Sequence, residues 1–96
     1  SAASDVYKRQ DELASAMHGN DRKRLREIAH RMQPMWELLQ MENTLSAYRS
    51  LLKDSTTGND TVREHTKRIM EYTAMLIAEA KNEIKKLENE TENTDS

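Results

Sequence analysis

The sequence predicts an all-α protein, an antiparallel up-down-up-down four-helix bundle. Three observations carry that expectation. Apolar residues recur at spacings of three and four along most of the chain, which places one apolar stripe on each of several helices. Only two glycines and one proline interrupt 96 residues, Phe is absent and aromatics make up 4%, so the turn residues and the strand-forming residues of a β-sheet are both scarce. The connections between stripes are short, and short connections make consecutive helices antiparallel neighbours.

The first helix is read at about residues 5–18, after Ser1 to Ser4, which are small and expected to fray. Val6, Gln10, Leu13, Ala14 and Met17 give it a modest apolar side. It ends at His18-Gly19-Asn20-Asp21, where Gly19 suits a left-handed position after the last turn and Asn20 suits the cap of the next helix.

The second helix is read at about 21–40, with a stripe of Leu25, Ile28, Ala29, Met32, either Met35 or Trp36, and Leu39. Its first half carries Arg22, Lys23, Arg24, Arg26 and Arg31 against Asp21 and Glu27, a local basic excess in a chain whose net charge is -2. Pro34 lies inside the pattern. It removes one backbone donor, so the carbonyl of His30 loses its helical partner, at a cost of about 3 kcal/mol for a proline in a helix interior. The end of this helix is weakly marked, because Gln40-Met41-Glu42-Asn43 holds neither Gly nor Pro, and a single long helix across this point is the main alternative.

A third helix is read at about 43–54, capped by Asn43 and apolar at Leu45, Tyr48, Leu51 and Leu52. Ser55 to Asp60 is the clearest loop. A fourth helix follows at about 61–87, opened by Thr61 and Glu64 in the spacing of a capping box and striped by Val62, Ile69, Thr73, Leu76, Ala80, Ile84 and Leu87. Residues 88–96 hold four acidic residues, no basic one and nothing to bury, and are read as a disordered acidic tail after a single domain over 1–87.

Composition excludes several function classes. The slightly acidic balance argues against general nucleic-acid affinity. Without Cys, disulfides and thiolate metal sites are ruled out, and a reducing, cytoplasmic compartment is expected. No apolar run reaches the roughly 20 residues that cross a bilayer, and no signal peptide is read. The chain opens on Ser rather than Met, which fits a module of a larger protein.

Chemistry concentrates at His30. The residues three, four and seven positions away are Lys23, Arg26, Glu27, Gln33, Pro34 and Glu37, so His30 is expected on a polar, partly basic face above the apolar stripe. Glu27 and His30 form a Glu-x-x-His pair, but a di-metal bundle needs two such pairs plus two more inward carboxylates, and a second Glu-x-x-His is absent. Nothing marks a nucleophilic Ser or a glycine-rich phosphate loop. An exposed imidazole, mostly neutral near pH 7, can instead attack phosphorus itself. Arg26, Lys23 and Arg31 could offset the charge of the product, Gln33 could donate to a phosphoryl oxygen, and the compact ring of Pro34 would let a partner approach. The plain alternative is a solvated histidine on a helix rim, in an adaptor bundle that binds partners through its fourth helix or the basic side of its second.

The run Ala29-His30-Arg31-Met32-Gln33-Pro34-Met35-Trp36 with Leu39 resembles the signature of histidine-containing phosphotransfer (HPt) domains, Ala-His-x-Leu-Lys-Gly-Ser-Ser with an apolar residue nine positions after the His. Gly19-Asn20-Asp21, Leu25 and Ile28-Ala29 are similar to the Gly-Asp, Leu and Ala-His run before it, and Leu51-Leu52-Lys53-Asp54 loosely resembles the end of the family's third helix. The sequence looks like the proline-containing variants at the end of hybrid sensor kinases, His-x-Met-x-Pro-Met-aromatic. Gln33 stands where the family has Lys, Pro34 where it has Gly, and Gln40-Met41 where it turns with Gly-Ala. The resemblance implies a phosphorelay intermediate with no kinase activity of its own. His30 would accept a phosphoryl group from a receiver-domain aspartate and pass it to another, with Glu27, Pro34 and Glu37 in the docking face. The chain would need no cofactor, Mg²⁺ residing on the receiver.

Overall fold

The computed structural model describes the backbone of residues 2–95 and the side-chain surroundings of residues 5–91. The chain forms four helices, α1 (Ala2–His18), α2 (Arg22–Leu38), α3 (Glu42–Lys53) and α4 (Asn59–Asp95), with no strand among the described residues. Each helix packs on its chain neighbour, and α4 closes onto α1. α1 opens at Ala2 rather than at about residue 5, so the backbone of Ala2 to Ser4, expected to fray, is helical, while Ser1 lies outside the described residues.

The first two connections are built alike. At the end of α1, Asn20 N–H donates to the Met17 carbonyl at 3.1 Å and Asp21 N–H to the Ala16 carbonyl at 2.9 Å. At the end of α2, Gln40 N–H donates to Glu37 at 3.1 Å and Met41 N–H to Trp36 at 2.8 Å. Both are Schellman closures, in which the residue after the cap turns left-handed and orphan carbonyls find donors. Asn20 takes that turn with φ 52° and Gln40 with φ 59°. The left-handed position expected of Gly19 therefore belongs to Asn20, whose short polar side chain tolerates it. The cap expected of Asn20 belongs to Asp21, whose carboxylate accepts from Arg24 N–H at 3.0 Å. Met41, half-buried against the core, replaces Asn43 as the residue before α3 and offers no side-chain cap.

α4 opens two residues before Thr61, at Asn59, and the Gly58 carbonyl accepts from Val62 N–H at 3.1 Å. The expected Thr61–Glu64 capping box therefore falls inside the helix. The loop before it is fixed from both sides. Asp54 accepts from the Thr56 hydroxyl at 2.6 Å and the Thr56 N–H at 2.9 Å, and these bonds hold its carboxyl below the usual range. Arg22, at the start of α2, donates to the carbonyls of Thr57 (2.7 Å) and Asp54 (3.2 Å) and to Asn59 Oδ1 (3.3 Å).

The core joins all four helices. Leu13 and Ala16 of α1, Leu25, Ile28, Ala29, Met32 and Trp36 of α2, Leu45, Tyr48 and Leu52 of α3, and Val62 and Ile69 of α4 form one buried cluster. At the open choice on α2, Trp36 is buried and Met35 only half so. Trp36 stacks with Tyr72 at 6.5 Å between ring centroids. Thr66 and Thr73 are also fully buried. Each returns its hydroxyl proton to the carbonyl one turn back, Val62 and Ile69, both at 2.7 Å, so neither brings an unpaired donor into the core.

The stripe of α4 outruns the other helices. Leu76 and Ile77 are half-buried, and every described residue from Ala78 on is exposed, including Ile84 at 57% and Leu87 at 60%. The helix continues through residues 88–95, where the sequence reading placed a disordered tail; Ser96 lies outside the described set. No Gly or Pro follows Gly58, and Glu, Lys and Leu are good helix formers, so nothing local stops it. At 1.5 Å per residue its 37 residues span about 55 Å, which accounts for the 60 Å long axis of the molecule. Among the described residues no helix is long and apolar enough to cross a membrane.

Tyr48 supplies a test of this core. Thr66 spends its proton on Val62, so the Tyr48 hydroxyl donates to Thr66 Oγ1, 2.6 Å away. Burial pushes the Tyr48 phenol up from 10.0 to about 12. Folding thus favours the neutral phenol, and its contribution is intact below pH 10 and lost as pH rises through about 12. Tyr48→Phe is expected to cost about 1 kcal/mol at pH 7 in urea unfolding and to flatten the loss of stability between pH 10 and 12. An unchanged alkaline profile would contradict the buried phenol.

Candidate functional site

The site is a consequence of how α2 is buried. Leu25, Ile28, Ala29, Met32 and Trp36 are each 2% exposed or less. At 100° per residue this stripe turns positions 23, 26, 27, 30, 34 and 37 outward. Lys23, Arg26, Glu27, His30, Arg31, Pro34 and Glu37 are all exposed, and Gln33 is half-buried at the seam with α3. α2 runs unbroken through Pro34.

The charged residues of α2 divide into two sets. Arg22 is committed to the α3–α4 loop. Arg24 is shared between Glu12 of α1 at 3.5 Å and Glu27 at 3.6 Å, so Glu27 enters the surface already paired. Lys23, Arg26 and Arg31 form no side-chain hydrogen bond or ion pair with any described residue, and none of them bonds the His30 ring.

The side chain that reaches His30 comes from another helix. Arg49 of α3 places Nη2 3.4 Å from His30 Nδ1, and its Nη1 donates to Gln33 Oε1 at 2.8 Å. Gln33 in turn directs Nε2 at Glu37 Oε1, 3.4 Å away. Gln33 is therefore engaged at both ends of its amide, rather than open as a donor. His30 Nε2 has no hydrogen-bond partner among the described residues. A polar cleft of about 330 Å³ opens beside this seam, lined in part by Gln33, Glu37, Glu42, Ser46 and Arg49.

Sequence reasoning did not single out Arg49. Nothing in Ala47-Tyr48-Arg49-Ser50 marks it, since an arginine on an exposed helix position is ordinary. The usable signal was the tight connection at 39–41. Packed helices joined by so short a turn bring residues at similar distances from it together, and Gln33 and Arg49 lie seven and nine positions from Gln40.

Neither remaining histidine joins this group. His18 is exposed at the end of α1, and His65 is half-buried in an apolar groove of about 540 Å³ between α3 and α4. Among the described residues no three His, Asp or Glu side chains stand where they could hold a metal ion. No family profile, curated protein or solved structure matches the chain.

Pro34 keeps the His30 carbonyl without a helical donor on the exposed face of α2, and no buried contact of Pro34 offsets that loss. Pro34→Ala is expected to raise the stability of the protein by about 1–3 kcal/mol in chemical denaturation. A variant no more stable than the parent would show that the proline is accommodated without cost.

Proposed function

We propose that this chain is a phosphorelay intermediate, an HPt module folded as an antiparallel up-down-up-down bundle. It accepts a phosphoryl group on His30 from the aspartyl phosphate of one response-regulator receiver domain and returns it to the aspartate of another. The observation that carries this reading is the exposed His30 ring, with Nε2 unengaged, on a polar face whose reverse side is fully buried. The HPt-like run around His30 adds to it. Such a module works in the cytoplasm, where receivers are, and could form part of a hybrid sensor kinase.

The chemistry asks little of the chain. The lone pair of Nε2 attacks phosphorus, an N–P bond forms, and the P–O bond to the receiver carboxylate breaks, with the electron pair leaving on the carboxylate. The attacking ring is the tautomer with its proton on Nδ1. Mg²⁺ and most of the catalytic groups belong to the receiver, so the chain has no kinase activity of its own. What the chain contributes is a fixed, reachable imidazole and positive charge near the product, which carries roughly two negative charges. Arg26 lies one turn before His30 on the same face, with Lys23 a turn earlier and Arg31 to one side.

A second reading, an adaptor bundle with His30 incidental, draws on the apolar residues that α4 leaves uncovered, Ile84 and Leu87. The two readings separate in a transfer assay with a receiver phosphorylated on its aspartate. Label is expected on the wild type and not on His30→Gln, whose melting should stay within a few degrees of the parent because His30 supports no core contact. Arg26→Ala is expected to slow uptake by roughly threefold, the effect of one exposed charge. A labelled His30→Gln protein would remove His30 as the acceptor, and no label on folded wild type from several receivers would favour the adaptor reading.

A further inference from the structure

His30 is the end of a chain of polar contacts across the α2–α3 seam, from Glu37 to Gln33 to Arg49 to the ring. The chemistry of that last contact is one-sided. A guanidinium only donates, so Arg49 Nη2 is attracted to Nδ1 when Nδ1 holds its lone pair and the neutral ring carries its proton on Nε2. Attack by Nε2 needs the opposite tautomer. Exchange with solvent water supplies it, Nε2 releasing its proton and Nδ1 taking one up, and Arg49 loses its acceptor on the ring as the phosphoryl oxygens arrive. Gln33 Oε1 still accepts from Nη1, so the guanidinium stays anchored at the seam beside the ring. Its planar fork suits two phosphoryl oxygens at once.

We propose that Arg49 is the phosphoryl-binding cation of this site, resting on His30 Nδ1 and passing to the phosphoryl oxygens when Nε2 is phosphorylated. Gln33 is its positioning residue. Its Oε1 holds Arg49, and its amide nitrogen is turned to Glu37, so it acts through Arg49 and not on the phosphoryl group directly. The inference rests on His30 being the phosphoacceptor.

The test is the kinetics of transfer from a receiver domain charged with labelled acetyl phosphate, for the wild type, Arg49→Ala, Arg49→Lys and Gln33→Ala. Circular dichroism melts establish that each is folded, and Arg49→Gln, which keeps the polar stem, replaces Arg49→Ala should that variant melt early. Loss of one charge-assisted contact at an exposed site is expected to slow Arg49→Ala roughly tenfold at saturating receiver. The receiver concentration for half-maximal rate should stay within about twofold, because Arg49 binds the group being transferred and not the receiver surface. Arg49→Lys should recover part of the rate, keeping the charge without the fork. Gln33→Ala should fall in between, at about a threefold loss. Full-rate transfer by folded Arg49→Ala overturns the inference and leaves His30 as the acceptor. So does a defect confined to half-saturation, which is the mark of a docking residue. No label on folded wild type overturns the inference and the function together.

Discussion

α2 has one way to be buried, and the rest of the molecule follows from it. Leu25, Ile28, Ala29, Met32 and Trp36 must all reach the core, and together they are the largest share any one helix contributes to it. Burying a large apolar side chain contributes about 1.5–3 kcal/mol, so rotating α2 to hide another face would forfeit several such terms at once. The rotation of the helix is fixed, and with it the outward direction of His30. α1 and α3 then pack on either side of that stripe, each delivered by a three-residue turn of the same construction.

The two turns also explain why the site is composite. Because Gln40 reverses the chain within three residues, the start of α3 lies directly beside the end of α2. Arg49 can therefore reach both Gln33 and His30 from a neighbouring helix. The surface near His30 carries two local backbone costs. Gln40 adopts a left-handed conformation that costs an ordinary residue about 1–2 kcal/mol, and Pro34 leaves a backbone carbonyl unpaired. Both features lie on α2 or at its end, within three turns of His30. The Gln40 turn is offset by the two hydrogen bonds that close α2 and by Met41 against the core, whereas the cost of Pro34 has no such offset and fits a surface that is used.

Much of this was legible in the sequence, because burial leaves a period behind it. Leu25, Ile28, Ala29 and Met32 repeat with the helical spacing, and the same spacing places Lys23, Arg26, Glu27, Pro34 and Glu37 around His30. What was not legible depended on partners remote in sequence or on residues with two plausible uses. Thr66 reads as polar, yet it is fully buried because it can return its proton to Val62. Asn20 and Asp21 can each cap a helix or turn left-handed, and hydrogen-bond geometry decides between them. Arg49 is silent until α3 is laid against α2. The run 88–95 lacks anything to bury, and its helical form follows from propensity and from the absence of a stop signal.

The most direct measurement is the chemical identity of the bound phosphoryl group. The protein, labelled with ¹⁵N and charged from a receiver phosphate, would be examined by ³¹P NMR before and after acid and base treatment. The account predicts one phosphoramidate resonance, coupled to Nε2 of His30, lost in acid and stable in base. A resonance that survives acid, or one coupled to any other residue, would contradict it.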